Sequence, residues 1–368
     1  MGLDLRGYEH LVASGPFAHG GVPSFAGISG GRTSAMMATL LDPKVVLCFE
    51  NTGREHDATL EFLLRLQDAL KRRIFWLEWR PPERKGAPPK EFRFAIVDEK
   101  TCVRHDPLDS SAGGVLFEGL LQALADYRET KGLPPVTPFA GLRLCTAYFK
   151  HRTQRAFMRA LGVDIDDDQV QYIGVRADEP ERVARLKALE TRARTYIAPL
   201  SPAEITKPKV NQFWSRQPFD LEIDHDRQGN CGACFLKDDA DRSRVLGEAW
   251  TDADWWIDLQ RRYPDFGGRD KASYAQLFTE RPTRLAVEAV LKSGVEPVLI
   301  GDEVAAAKAR KAGLPILEMP DGGLGERRFK LVVRSERRYL AGERAAFSCA
   351  CESSLGIGED EEDEAGAA

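Results

Sequence analysis

The chain is short of everything that would hold it in a membrane or tie it together by cross-links. Across 368 residues no apolar run is long enough to span a bilayer. Between Met1 and Gly21, a stretch that includes Asp4 and Glu9, no basic segment leads into an apolar core of the secretory kind. A cytoplasmic protein with no membrane partner is therefore expected. Cysteine is sparse and odd in number: Cys48, Cys102, Cys145, Cys231, Cys234, Cys349 and Cys351. Seven thiols in a long, reduced chain argue against a disulfide framework and for metal or thiol chemistry. A global basic excess, the usual advertisement of nucleic-acid binding, is missing too. The net charge is −5, and the run Glu359-Asp360-Glu361-Glu362-Asp363-Glu364 accounts for it, leaving the rest of the chain close to neutral. That run, flanked by Gly and Ala, reads as a solvated, disordered tail over residues 351–368. Basic residues do gather locally, at Arg143, Lys150, His151, Arg152 and Arg155. With 43% hydrophobic and 30% charged residues, the composition is that of a soluble globular protein with one large core or two smaller ones.

What is present is organised around Ser29-Gly30-Gly31-Arg32-Thr33-Ser34, set between the apolar run 24–28 and the helix-like run 35–41. A strand, a glycine turn rich in hydroxyls and a helix start aim backbone N–H groups and a positive helix end at one anion. Gly30 and Gly31 let the backbone come close, Thr33 and Ser34 add hydroxyl donors, and Arg32 adds charge at the mouth. The Gly-Lys-Ser/Thr ending of a Walker loop and the three-glycine spacing of a dinucleotide fingerprint are both absent. By itself the hexapeptide also reads as an ordinary strand-to-helix turn.

The flanking pattern lifts it above that. Residues 44–50 form a second strand ending at Asn51-Thr52-Gly53, residues 57–70 an amphipathic helix, and residues 73–79 a third strand. Alternating strands and helices predict an α/β fold with a mostly parallel sheet and helices on both faces. Ligands on such sheets sit at the carboxyl ends of the strands, where both glycine turns fall. Asn51 and Thr52 offer donors and acceptors to a base or ribose, or simply end the strand. The proline-rich stretch 80–138, with one helix over 114–130, reads as a long excursion covering the site. Cys102 and His105 lie in it, three apart, and suit a surface position. A fourth strand, 169–175, ends in Arg176-Ala177-Asp178-Glu179, where Arg176 contacts an anion and Glu179 orients it, or the two form a surface ion pair. Arg182, Arg185, Arg192 and Arg194 then read equally as a basic lid or a solvated face. A fifth strand covers 196–200. Trp255 and Trp256 mark an aromatic helix over 250–263 that suits a core. Residues 296–317 look like a small strand–helix–strand addition.

The second strong signal is Asn230-Cys231-Gly232-Ala233-Cys234. Cys-x-x-Cys in a glycine turn suits two thiolates on one metal or cluster, and equally dithiol redox chemistry. Cys145, after the sheet's ligand edge, is the natural third ligand, and three cysteines with one open position suit a [4Fe–4S] cluster. Two buried thiols with a remote third remain the plainer reading.

Assembled, these residues resemble the phosphoadenosine phosphosulfate (PAPS) reductase family of the adenine nucleotide alpha-hydrolase superfamily, above all its stand-alone phage and prophage members. The motifs are Ser29 to Ser34, Asn51-Thr52-Gly53 with Glu55, Arg143 with Cys145 and Lys150, Gly174 to Glu179, and Asn230 to Lys237, over about residues 24–263. The resemblance implies a five-stranded sheet and an adenylyl nucleotide (PAPS, adenylyl sulfate or ATP) across the strand ends. The nucleotide would be held by residues 29–34, Asn51, Thr52, Gly53, Lys150 and Arg176, with Arg32, Arg176 and Glu179 in catalytic roles and Cys145, Cys231 and Cys234 as metal ligands. It implies a domain over 24–237, preceded by an extension (1–23) and followed by a helical and small α/β extension (238–350). Reduction of an adenylyl sulfate with a thiol electron donor is the first activity implied. The second is ATP-dependent sulfur transfer to a nucleic-acid substrate, with Mg2+ on the ATP, and the third is nucleotide binding without catalysis. Two departures stand out: the tail reads Ser348-Cys349-Ala350-Cys351-Glu352, not a Glu-Cys-Gly-type thiol, and Cys145 has no cysteine neighbour.

Overall fold

The structure is a computed structural model that describes residues 2–104, 112–135, 143–164, 169–223, 231–248, 251–263, 266 and 272–278, with the backbone of 318–319 and 328–329. His105, Cys349, Cys351, the acidic run and the expected addition over 296–317 lie outside the described residues. The described residues fall into two units: one reaches to 223 and includes Cys231, and the other begins at Gly232. Among them, no helix is long and apolar enough to cross a membrane.

The first unit is an α/β sheet of six strands. β1 (Ser24–Gly27), α1 (Arg32–Leu40), β2 (Val46–Asn51), α2 (Asp57–Leu70) and β3 (Ile74–Arg80) follow one another, and β4 (Arg93–Val97) turns back beside β3. After α3 (Val115–Glu129), a π-helix (Cys145–Arg152) runs directly into α4 (Thr153–Ala160). β5 (Gln169–Tyr172), α5 (Pro180–Ala188), β6 (Arg194–Ile197) and α6 (Lys207–Trp214) complete the unit. The strand order is β4-β3-β2-β1-β5-β6. Every neighbouring pair is parallel except β3 and β4. The sixth strand corrects the expected five. β4 was hidden in the proline-rich stretch because it is an edge strand: Ile96 points to solvent and Arg93 is exposed, so no clean alternation marks it.

Period-two alternation sends the central strands to two cores. Ala26, Leu47, Phe49, Trp76 and Tyr172 join Met36 and Met37 of α1, Leu60 and Leu63 of α2 and Phe213 and Trp214 of α6. Phe25, Cys48 and Leu77 face the other way, onto Phe157 and Met158 of α4. Each fully buried leucine, methionine or phenylalanine among them contributes roughly 1.5–3 kcal/mol by leaving water. Cys102 belongs to the first core and is buried, not at the surface, and its Sγ lies 3.8 Å from the Glu99 carbonyl.

The second unit holds α7 (Asp239–Val245), α8 (Ala253–Arg262) and the paired two-residue strands β7 (Glu318–Met319) and β8 (Arg328–Phe329). Trp255 and Trp256 are both buried, and Trp256 stacks with Phe266 and Tyr274.

Candidate functional site

The order of the strands places the glycine loop. Chain connection runs outward from β1 to β2 and β3 on one side, while β5 and β6 lie on the other, so the strand order reverses between β1 and β5. At such a switch point a crevice opens beyond the carboxyl ends of the strands. Ser29, Gly30 and Gly31 leave β1 there and Gly31 caps α1 with no side chain to fill the first-turn N–H groups. Gly30 has φ +76°, and a Cβ on it would overlap Thr59 Cγ2. The Ser29 and Ser34 hydroxyls lie 3.1 Å apart, and Ser34 Oγ also donates to the Gly31 carbonyl.

The chain leaving β5 closes the same crevice. Gly174 lies so near α1 that a Cβ would fall 2.9 Å from Ser34 Cα and 3.1 Å from its nitrogen. Arg176 is buried at 8% exposure, and its Nη1 donates to Thr33 Oγ1 at 3.3 Å. Asp178 (3.0 Å) and Glu179 (3.4 Å) flank the guanidinium. Glu179 also accepts from the Arg176 amide at 3.1 Å and pairs with Arg182 at 2.5 Å. Glu179 therefore orients Arg176, and two stretches more than a hundred residues apart meet at Thr33. Arg185 and Arg192 are exposed, while Arg194 donates to the Tyr196 hydroxyl at 3.3 Å.

Arg32 has carboxylate and amide partners within the protein. Its Nε donates to Asp220 Oδ1 at 2.7 Å, its Nη2 pairs with the other Asp220 oxygen, and its Nη1 donates to Asn211 Oδ1 at 3.3 Å. The Arg32 carbonyl accepts from Trp214 Nε1 at 2.8 Å. The fork thus fastens α6 and Asp220 beside the loop. Asp220 was invisible in the sequence because nothing local connects residues 188 positions apart.

The second glycine turn is likewise turned inward. Asn51 is 0% exposed, and its amide donates to Glu78 Oε1 at 2.6 Å and to the Val103 carbonyl at 2.7 Å. Its Oδ1 accepts from Gly53 N at 3.1 Å. Asn51 and Glu78 are register partners on β2 and β3, and Glu78 also pairs with Arg80 at 2.8 Å. Thr52 gives both its amide and its hydroxyl to Glu55, the latter at 2.7 Å. The Asn51 amide is thus held by Glu78 and Val103 and the Thr52 hydroxyl by Glu55, which organises the turn. Burial pushes the Glu55 carboxyl up, against the Thr52 hydrogen bonds and the Lys150 charge. Gly53, with φ +78°, has no room for a Cβ beside the Gly113 carbonyl.

Cys145 opens the π-helix that also carries Lys150. Cys231 Sγ lies 4.0 Å from Thr52 Oγ1. Cys234 belongs to the second unit. Among the described residues no group of three or more His, Cys, Asp or Glu side chains is gathered to hold a metal ion. Cys145, Cys231 and Cys234 do not form such a group. A cleft of about 450 Å3 opens at the amino end of β3, lined by Leu64, Lys71, Arg72, Ile74, Trp76 and Val97. It lies at the opposite edge of the sheet from the loop.

One titration belongs to this face. His151, on the π-helix, is half-buried as a side chain, but its Nε2 is shut off from solvent without a hydrogen-bond partner. Burial, with Lys150, Arg194 and Arg155 nearby, lowers its pKa from 6.5 to about 4. A depressed histidine contributes stability above pH 6.5 that is lost as pH falls toward 4. His151→Gln is expected to lose on the order of 2 kcal/mol less stability than the parent between pH 7 and 4.5. Urea unfolding at the two pH values measures the difference, and equal losses would remove His151 from the acid response.

Comparison of the chain with known protein families, with curated proteins and with solved structures finds no match.

Proposed function

We propose that this chain is an enzyme of the PAPS reductase kind, with an adenine nucleotide alpha-hydrolase-like sheet, that binds an adenylyl nucleotide at residues 29–34 and reduces an adenylyl sulfate. The observation that carries the reading is the meeting of the loop, the uncapped start of α1 and Arg176 at the switch point of the sheet. A helix start with open N–H groups suits a phosphate or sulfonate. Arg176, held by Asp178 and Glu179, brings one fixed cation against charge that develops on the leaving phosphate. Gly174 and Gly30 supply the close backbone approach. Arg32 acts through position, by holding α6 against the loop, and Lys150 sets charge beside Glu55. Reduction yields sulfite and the adenosine phosphate, and the two electrons come from thiols, which end as a disulfide.

The same cradle suits the pyrophosphate of ATP, the entry to sulfur transfer onto a nucleic acid. Purified protein given PAPS or adenylyl sulfate with a dithiol, and separately ATP with Mg2+, decides the matter. Sulfite is the expected product. AMP with pyrophosphate would replace the reductase by the transfer enzyme. Tight adenylyl nucleotide binding without either product would leave a binding protein.

A further inference from the structure

The second unit holds part of the Cys231-Gly232-Ala233-Cys234 turn. The Ala233 carbonyl is buried, with Ala233 at 0% exposure, and accepts from the Tyr274 hydroxyl at 2.9 Å. Tyr274 is itself 0% exposed. Its amide donates to Gln260 Oε1 at 2.7 Å, and its ring lies against Trp256 and Phe266 with centroids 5.3 and 5.8 Å away. The Arg242 guanidinium sits 5.1 Å over the same ring. Arg242 is fastened in turn to Asp239 at 2.5 Å and to the Ala272 carbonyl at 3.1 Å. On the far side of the cysteine, the Cys234 carbonyl accepts from Lys237 N at 3.0 Å.

We propose that Tyr274 is the positioning residue of the thiol turn: by holding the Ala233 carbonyl it fixes the backbone from which Cys234 presents its sulfur, and so governs that thiol's reactivity. A core tyrosine needs only some partner for its hydroxyl. This one, held by amide, ring and cation, bonds the peptide joining Ala233 to Cys234. Burial pushes the phenol pKa up, so the hydroxyl stays a donor throughout the useful pH range.

The test is the rate at which iodoacetamide alkylates Cys234 in the full-length protein, followed by peptide mass spectrometry without nucleotide present. Tyr274→Phe keeps the ring and removes the bond. It is expected to raise the Cys234 rate about tenfold, the size of one lost hydrogen bond. Tyr172→Phe is the control, because Tyr172 also donates to a carbonyl, that of Ala18 at 2.6 Å, but in the first unit. It should leave Cys234 unchanged. An unchanged rate in Tyr274→Phe, or an equal rise in both variants, would overturn the proposal. Should Tyr274→Phe fail to fold, Asp239→Asn loosens Arg242 behind the ring and should raise the rate severalfold. No rise there would overturn it as well.

Discussion

Arg176→Ala is expected to lower turnover of an adenylyl nucleotide about 100- to 1,000-fold, the usual cost of removing one preorganised donor from a developing anion. The size follows from burial. At 8% exposure the guanidinium is only weakly screened, and Asp178 and Glu179 fix its direction before any ligand arrives. The fold should tolerate the loss better than the chemistry does. The Arg176 amide keeps Glu179, and Arg182 keeps that carboxylate paired. Arg176→Lys restores charge without the fork and is expected to recover only part of the rate. Steady-state kinetics beside thermal melts check both variants. Turnover within about threefold of the parent in Arg176→Ala would take Arg176 out of the reaction.

Gly30→Ala should cost the first unit about 2–5 kcal/mol. A left-handed backbone at φ +76° adds about 1–2 kcal/mol for any residue with a Cβ. Overlap with Thr59 Cγ2 adds about 1–3 kcal/mol more, because Thr59 is fully buried on α2 and has nowhere to retreat. The two terms separate experimentally. Gly132 has φ +67° with open space around the Cβ position, so Gly132→Ala should show the backbone cost alone. Pairing Gly30→Ala with Thr59→Ser removes the methyl and should return most of the difference. Equal losses for Gly30→Ala and Gly132→Ala, measured by denaturant unfolding, would mean that Thr59 does not confine the loop.

The parallel half of the sheet was legible because its physics is local. Alternating apolar positions with intervening helix stripes announce β1 to β3, α1 and α2, and paired glycines announce the loop between the first two. β4 was not, since Arg93-Phe94-Ala95-Ile96-Val97 sits at an edge where one face needs no partner. Glycine at 174 gave no sign of its purpose, which is a close approach to Ser34 made only in three dimensions. Asn51 and Thr52 looked like ligand readers because they are polar and follow a strand. The register that sets Asn51 beside Glu78 gives it a partner within the protein that no local pattern shows. Arg32 is a similar case. A cation beside an anion loop suggests a ligand, and its carboxylate partner within the fold, Asp220, is beyond the reach of any spacing rule.

The π-helix between Cys145 and Arg152 bears on the history of the gene as well as on the geometry of the site. Along an α-helix five residues advance about 500°, so Cys145 and Lys150 would face about 140° apart. Hydrogen bonds from i to i+5 bring that pair nearly into line, which is the geometry of a single-residue insertion absorbed without breaking the helix. The segment runs directly into α4, so it has no loop in which to hide a change of length. Deleting one residue from it would wind the stretch before the deletion round by about 100° relative to α4. Descendants of this gene should accept insertions and deletions at Gly132 and after Leu161 and shed them between Cys145 and Thr153, and a deletion scan with selection for soluble protein would expose that ban as a single gap.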